Sequence, residues 1–562
     1  IDAWTRLVEA KPDPRRRREL AAALQNLGDA LRLTGDLAAG RKARERGLEI
    51  FEKLHAEDPA HSEWIEQIAT VRHGLALLDR AAGDREEALI KSEAATEALR
   101  GLAARDPGNK RRLYQLGVAL HLLGLLRRET GSAAGAFAAH EECARTRSAL
   151  AALDAGNRSR RVDAAEGARE AAASAAAAGR LDDAARLAAE AEALARSVVE
   201  AFPFEDVLRS AADVRIGAAR VAEERGELAR AADLAAAAVD ARRRVAESRP
   251  ADPELARRRA DFARDAGFRA AEAGRLEAAV AFAREAAEAR RVQADGRPED
   301  GAAAVAESIE LSAKLEAAGD RAGADAARGE AAARLEALRG ASADAADVAL
   351  EEIRLHAAHA EGARAAGRFA EAAEAAREAA ARLASAPPAT RARLEGLPDV
   401  AALERETRRL YELSEGAPPS GEADLRLAGE RWYAAGRFGA AAEAFEKAAE
   451  LCEARPKRDA FRDADLPIGA AKAWARLAAT DDPRAPAART AALKRLGEAT
   501  RALGAALASA EATVAAEAAA GTPSETSRHA AARIRRRLAA LRDVEPAFAG
   551  LRAAPEFVAL FR

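Results

Sequence analysis

Methionine is missing from all 562 residues, and cysteine occurs only at Cys143 and Cys452. Two cysteines exclude a disulfide framework and favour a reducing compartment, so the chain is expected in the cytoplasm. Aromatic residues are scarce, at 4%, and no run alternates β-branched with aromatic side chains as a strand would. No uncharged apolar stretch approaches the ~18 residues of a membrane span. Asp2 and Glu9 flank a short apolar run at the N-terminus, which is no signal peptide. Neither sign of charge prevails: 89 basic residues face 92 acidic ones, for a net charge of -3. That balance lacks the basic footprint of a nucleic-acid binder. The basic runs Arg15–Arg18 and Arg535–Arg537 are expected on solvated helix faces or ends. Because the chain opens on Ile1 without a methionine, it is read as the C-terminal part of something longer.

What is present is alanine, in whole stretches such as AAASAAAA at 171–178. Alanine is the best helix former and fits strands poorly, so the fold class is all-α. A short turn recurs along the helical sequence: TGDL at 34–37, AGDR at 82–85, TGSA at 130–133, AGRL at 178–181, and onward to AGRF at 435–438. Its glycines are Gly35, Gly83, Gly131, Gly179, Gly226, Gly274, Gly319, Gly367 and Gly436, at steps of 48, 48, 48, 47, 48, 45, 48 and 69. Most are followed 24 residues later by a second break, at Pro59, Pro107, Ala155, Pro203, Pro250 and Pro298. Glycine suits the left-handed position that closes a helix, and proline the break before the next. Each unit is therefore a hairpin of two helices of roughly 18–20 residues, each about 30 Å long.

The same register carries a packing pattern. Seven residues before the glycines stand Gly28, Ala76, Gly124, Ala172, Ala219, Gly267, Ser312, Ala360 and Gly429. Five after stand Gly40, Ala88, Ala136, Ala184, Ala231, Ala279, Ala324, Ala372 and Ala441, and the column twelve after is equally small. Small side chains at fixed heights let two helices cross closely.

This pattern resembles the tetratricopeptide repeat. The best match is LRLAGERWYAAGRFGAAAEAFEKAAELCEARP (425–456), where Gly429, Trp432, Tyr433, Gly436, Ala441, Phe445, Ala448 and Pro456 fall at motif positions. The other eight units depart from it: they run to about 48 residues against about 34 for the common motif, and most lack the aromatic seen at Phe445. They resemble a longer bacterial variant. Residues 466–507 look like the helical segment that follows such repeats. The tail DVEPAFAGLRAAPEFVALFR (543–562) is similar to a closing motif carried here by Phe548, Leu551, Arg552, Pro555 and Phe557. Such tails occur on the repeat regions of multidomain bacterial serine/threonine protein kinases of the planctomycete type. The chain itself has no glycine-rich phosphate loop after a strand, no His-Arg-Asp and no Asp-Phe-Gly, so no enzymatic activity and no cofactor are expected of it.

The resemblance implies a right-handed α-solenoid of tetratricopeptide-like hairpins with a long repeat and a C-terminal cap. Eight long hairpins are expected over 1–385, an irregular proline-rich connector with one helix over 386–420, and a tetratricopeptide hairpin over 421–456. Further helices over 457–542 and a capping segment over 543–562 complete the chain. First helices of such hairpins line a concave face. There, Arg32, Arg80 and Arg128, each three residues before a glycine, form a ladder that suits an acidic segment or a C-terminal carboxylate; the plainer alternative is a row of exposed arginines. His73 and His121 are likewise one repeat apart, but without the further ligands a metal needs, so no metal is expected. Cys143 sits at an alanine height and is read as core. The carboxylates of 302–338 read as solvated faces paired with arginines. The expected function is a protein-interaction scaffold for peptides or protein surfaces, the regulatory or recruiting arm of a signalling protein. The alternatives are the substrate-recruiting part of a serine/threonine kinase whose catalytic domain lies upstream, and a structural spacer. A monomer is favoured.

Overall fold

The computed structural model describes residues 1–10, 13–297, 300–340, 345–386, 403, 405–409, 412, 421–434, 437–453, 464–480, 484–519, 524–552 and 554–561. It divides into two compact units. One comprises Ile1–Val221 with Ala512–His529, the other Ala222–Glu511 with Ala530–Arg562. Among the described residues there is no strand.

A short helix α1 (Asp2–Ala10) precedes a series of hairpins. They are α2 (Pro14–Leu33) and α3 (Leu37–Glu57), α4 (Ser62–Ala82) and α5 (Arg85–Arg105), α6 (Lys110–Glu129) and α7 (Ala133–Leu153), and α8 (Arg158–Ala177) and α9 (Leu181–Ala201). There follow α10 (Glu205–Glu224) and α11 (Leu228–Ala246), α12 (Pro253–Glu272) and α13 (Leu276–Gly296), α14 (Gly301–Ala317) and α15 (Arg321–Gly340), and α16 (Ala345–Ala365) and α17 (Phe369–Ser385). From α2 to α9 in the first unit, and from α11 to α17 in the second, each helix packs on its successor. First helices of neighbouring hairpins also touch, α2 on α4, α4 on α6 and α14 on α16. The fold class is thus an α-solenoid of tetratricopeptide-like hairpins with a long repeat.

Local chemistry sets each hairpin. Eight turn glycines, from Gly35 to Gly367, have φ between 73° and 92°, a region where a side chain would crowd the backbone. The residue after the glycine closes the helix by a bond to the carbonyl five back, as in Asp84 N to Asp79 O (2.9 Å) and Asp320 N to Leu315 O (2.9 Å). The ninth turn has the same bond, Arg437 N to Trp432 O (2.8 Å), although Gly436 itself lies outside the described residues. Several helix starts are capped by a side-chain acceptor: Asp13 takes the N–H of Arg16, Asn109 that of Arg112, and Asp252 those of Glu254 and Leu255.

The small-residue columns are the crossings. Ala88, Ala136, Ala184, Ala279, Ala324 and Ala372 are each no more than 1% exposed. The seven-before column adjusts to what faces it. Where the residue nine after the glycine is Arg44, His140 or Phe445, the crossing residue is glycine; opposite Arg328 it is Ser312. A methyl group on Gly429 would lie 3.0 Å from the Phe445 ring, and one on Gly124 would run into His140. Where that partner is alanine, as at Ala188 and Ala376, the crossing residue is alanine, Ala172 and Ala360, with the exception of Gly267 opposite Ala283.

Past α17, most of 386–420, together with Gly436 and Pro456, falls outside the described residues. In the second unit the helix Gly421–Ala434 packs on Phe438–Glu453, which packs on Asp465–Ala478. This short helix is followed by one of 35 residues, Ala485–Ala519. Helix Glu525–Ala539 ends in a π-turn, Ala540–Val544. Phe548 (0% exposed) and Phe557 (2%) then enter a core with Ile468, Leu496, Leu503 and Leu541.

Candidate functional site

In the first unit, positions ten and three before each turn glycine bring the expected side chains onto first helices α2, α4 and α6. The arginines do not form a uniform ladder. Arg80 donates from Nε and Nη2 to Glu129 (3.0 and 2.6 Å), and this hydrogen bond raises the guanidinium pKa and holds the Glu129 carboxylate below its usual range. Arg32 is partly buried, its Nε without a partner, and Arg128 is exposed.

His73 and His121 are partly buried rather than open to a ligand. Burial, reinforced by the nearby Arg44 charge, lowers His73 to about 4. Burial and Arg147 lower His121. His121 stands beside a third histidine, His140, with ring centroids 5.7 Å apart. His140 is fully buried and shares a hydrogen bond between its Nδ1 and Ser174 Oγ (2.6 Å). These rings are neutral side chains of the helix packing. Cys143, 1% exposed, donates to Gly117 O (3.2 Å), and burial pushes its thiol up to about 11. Among the described residues no group of three or more His, Cys, Asp or Glu stands close enough to hold a metal, and no helix is long and apolar enough to cross a membrane.

The second unit holds the feature that sequence inspection missed. First helices α14 and α16, with Asp300 just before α14 and Arg264 of α12, line an open cavity of about 680 Å³. Its polar lining is six carboxylates, Asp300, Glu307, Glu310, Asp347, Glu351 and Glu361, against two guanidinium groups, Arg264 and Arg354. The apolar lining is mostly alanine, including Ala302, Ala303, Ala306, Ala313, Ala357 and Ala358. Glu307 corrects the expectation of solvated carboxylates in 302–338: it is 2% exposed. It accepts from Arg264 Nε (2.5 Å), with Arg290 Nε at 3.6 Å. Glu310 pairs with Lys314 (3.0 Å).

Glu351 differs from these. It is 3% exposed, and Arg354 Nη1 donates to its Oε1 (2.6 Å). Its Oε2 is buried with no hydrogen-bond partner. Burial outweighs the arginine and raises its carboxyl to about 7. A sequence signal existed for Glu307 alone. Twelve residues before the turn glycine, the other long repeats carry Ala23, Val71, Ala119, Gly167, Val214, Phe262 and Leu355, so a carboxylate there is out of pattern among them; only Asp424 of the ninth repeat shares it. Glu351 stands in a column that is polar in every repeat but the one with Ala303, and nothing marked it.

No family model matches the chain, and no curated protein does. Solved structures similar to it include BtubC (BKLC) from P. vanneervenii, at 19% identity over 46% of this chain and 92% of that one, with a TM-score of 0.30. The apo form of RapI is similar at 12% identity over 71% and 99%, TM-score 0.36. A tetratricopeptide repeat protein from Parabacteroides merdae is similar at 12% over 69% and 99%, TM-score 0.26.

Proposed function

We propose that this chain is a protein-interaction scaffold that binds peptide segments or protein surfaces on its first-helix face. The observation that carries this is the cavity between α14 and α16: about 680 Å³ of space lined by residues of first helices, with a few convergent polar groups set in an alanine wall. That is the form of a ligand site rather than of a packing defect. A finer version, a recruiting arm of a serine/threonine kinase in a reducing compartment, is supported only by the tail residues Phe548, Leu551, Arg552, Pro555 and Phe557.

The test is to pan a random-peptide display library on the immobilised full chain, and in parallel on Ala306→Trp, which fills the cavity from a partly buried lining position. We expect peptides that the wild type enriches and the filled variant, with helicity unchanged by circular dichroism, does not. A library that yields no enriched peptide, or the same peptides on both proteins, rules the proposal out.

A further inference from the structure

In the second unit, the turn of the α10–α11 hairpin meets a segment 311 residues further along the chain. Arg535 Nη1 donates to the Glu224 carbonyl (3.0 Å), and Arg536 pairs with the Glu223 carboxylate. Glu223 is shared, since Arg269 of α12, 5% exposed, reaches its other oxygen (3.0 Å). Glu272 of α12 adds negative charge nearby: burial raises its carboxyl, and Arg536 opposes that rise. Gly226 lets the chains close up, because a methyl group there would lie 3.4 Å from both the Ala539 Cβ and the Arg535 carbonyl oxygen.

The meeting is made of charge and backbone. Helix Glu525–Ala539 places its apolar side chains elsewhere, with Ile534 and Leu538 in a core drawn from residues 464–561 alone. Arg537 pairs with Asp465 (2.9 Å) inside that same body, and Glu511 holds the Arg535 guanidinium from the same side (3.0 and 2.7 Å). The Arg536 and Glu223 side chains stay 28% and 15% exposed, so dissolved ions reach the pair and screen it. A contact of this kind breaks without unfolding what it joins, as local openings do.

We propose that Arg535 and Arg536 form an electrostatic clasp that holds residues 464–561 closed against the α10–α11 turn and opens, with both sides still folded, when its charges are screened or removed. Glu223 stands three residues before its turn glycine, in the column of Arg32, Arg80 and Arg128. Closing covers that first-helix position and opening presents it to solvent. The device does not depend on what the first-helix face binds.

The experiment is double electron–electron resonance on the full chain, spin-labelled at Ala229→Cys and Ala530→Cys, both exposed positions. Cys143 and Cys452 are buried and stay unlabelled. A single short distance is expected at about 0.05 M NaCl, and a shift to longer distances at about 1 M, where the screening length falls to about 3 Å. Glu223→Gln and Arg536→Gln should each produce that shift at low salt. The double substitution should do no more than either alone, because the two act through one pair. Helicity by circular dichroism should hold throughout, and the salt series decides the matter without any change at the clasp should a variant misfold. A short distance unmoved by salt and by both substitutions overturns the inference and makes the contact fixed packing. A shift that comes only with loss of helicity overturns it as well, and a distance that varies with protein concentration overturns the assignment to a single chain.

Discussion

Ala279, Ala324 and Ala372 each lie five residues past a turn glycine, and each is sealed inside a helix crossing at no more than 1% exposure. Gly267 closes the other side at the first of them: a methyl group there would already be 3.4 Å from the Ala279 carbonyl oxygen. Ala279→Phe therefore has no space to enter. It should destabilise by about 1–3 kcal/mol, as overpacked cores do, and lower Tm measurably in a thermal melt; an unchanged Tm would mean the crossing lies elsewhere. Titration acts at the same scale. Burial holds His140 at about 4, against an ordinary 6.5, so the native ring stays neutral where the unfolded chain takes up a proton. Unfolding then binds protons between pH 6.5 and 4, and stability falls as pH drops through that window. His73, also lowered to about 4, has the same sign. The loss at His140 is on the order of 3 kcal/mol by pH 4. Urea midpoints should fall from pH 7 to pH 5 in the wild type and fall less in His140→Gln; parallel slopes would contradict the assignment.

Helices and turns were the most legible level. The glycines picked out by their step of 48 residues are those found at positive φ, because a left-handed helix end tolerates little else. The small columns were legible for a related reason: close crossing demands small volume, and volume is written in the residue type. The cavity was not legible. Glu351 occupies a polar column, and whether a first-helix carboxylate meets water or a cavity wall depends on how α14 and α16 pack, which no single helix encodes. The tail is an element with its own prediction. Phe548 and Phe557 are buried against Leu496, Leu503 and Ile468, and Arg552 donates to the carbonyls of Arg542 and Glu545 (3.0 and 2.8 Å). Deleting 543–562 uncovers that apolar surface, and uncovered apolar patches associate. The truncated chain should elute earlier and lose solubility in size-exclusion chromatography with light scattering. A monomeric, equally soluble truncation would show that the tail caps nothing.

At the scale of the whole chain, the central claim is that first helices bind and second helices support. Charge divides the first-helix residues between the two units, with arginines at Arg32, Arg80 and Arg128 in one and carboxylates at Glu307 and Glu351 in the other. The chain's near-zero net charge conceals that division. Hydrogen–deuterium exchange on the full chain, with and without the most enriched panned peptide, reads the claim directly, since ligand contact raises local protection. Added protection concentrated on α14 and α16, with α15 and α17 little changed, is the predicted result. Protection confined to α15 and α17, or none on either pair while the peptide is bound, would contradict it.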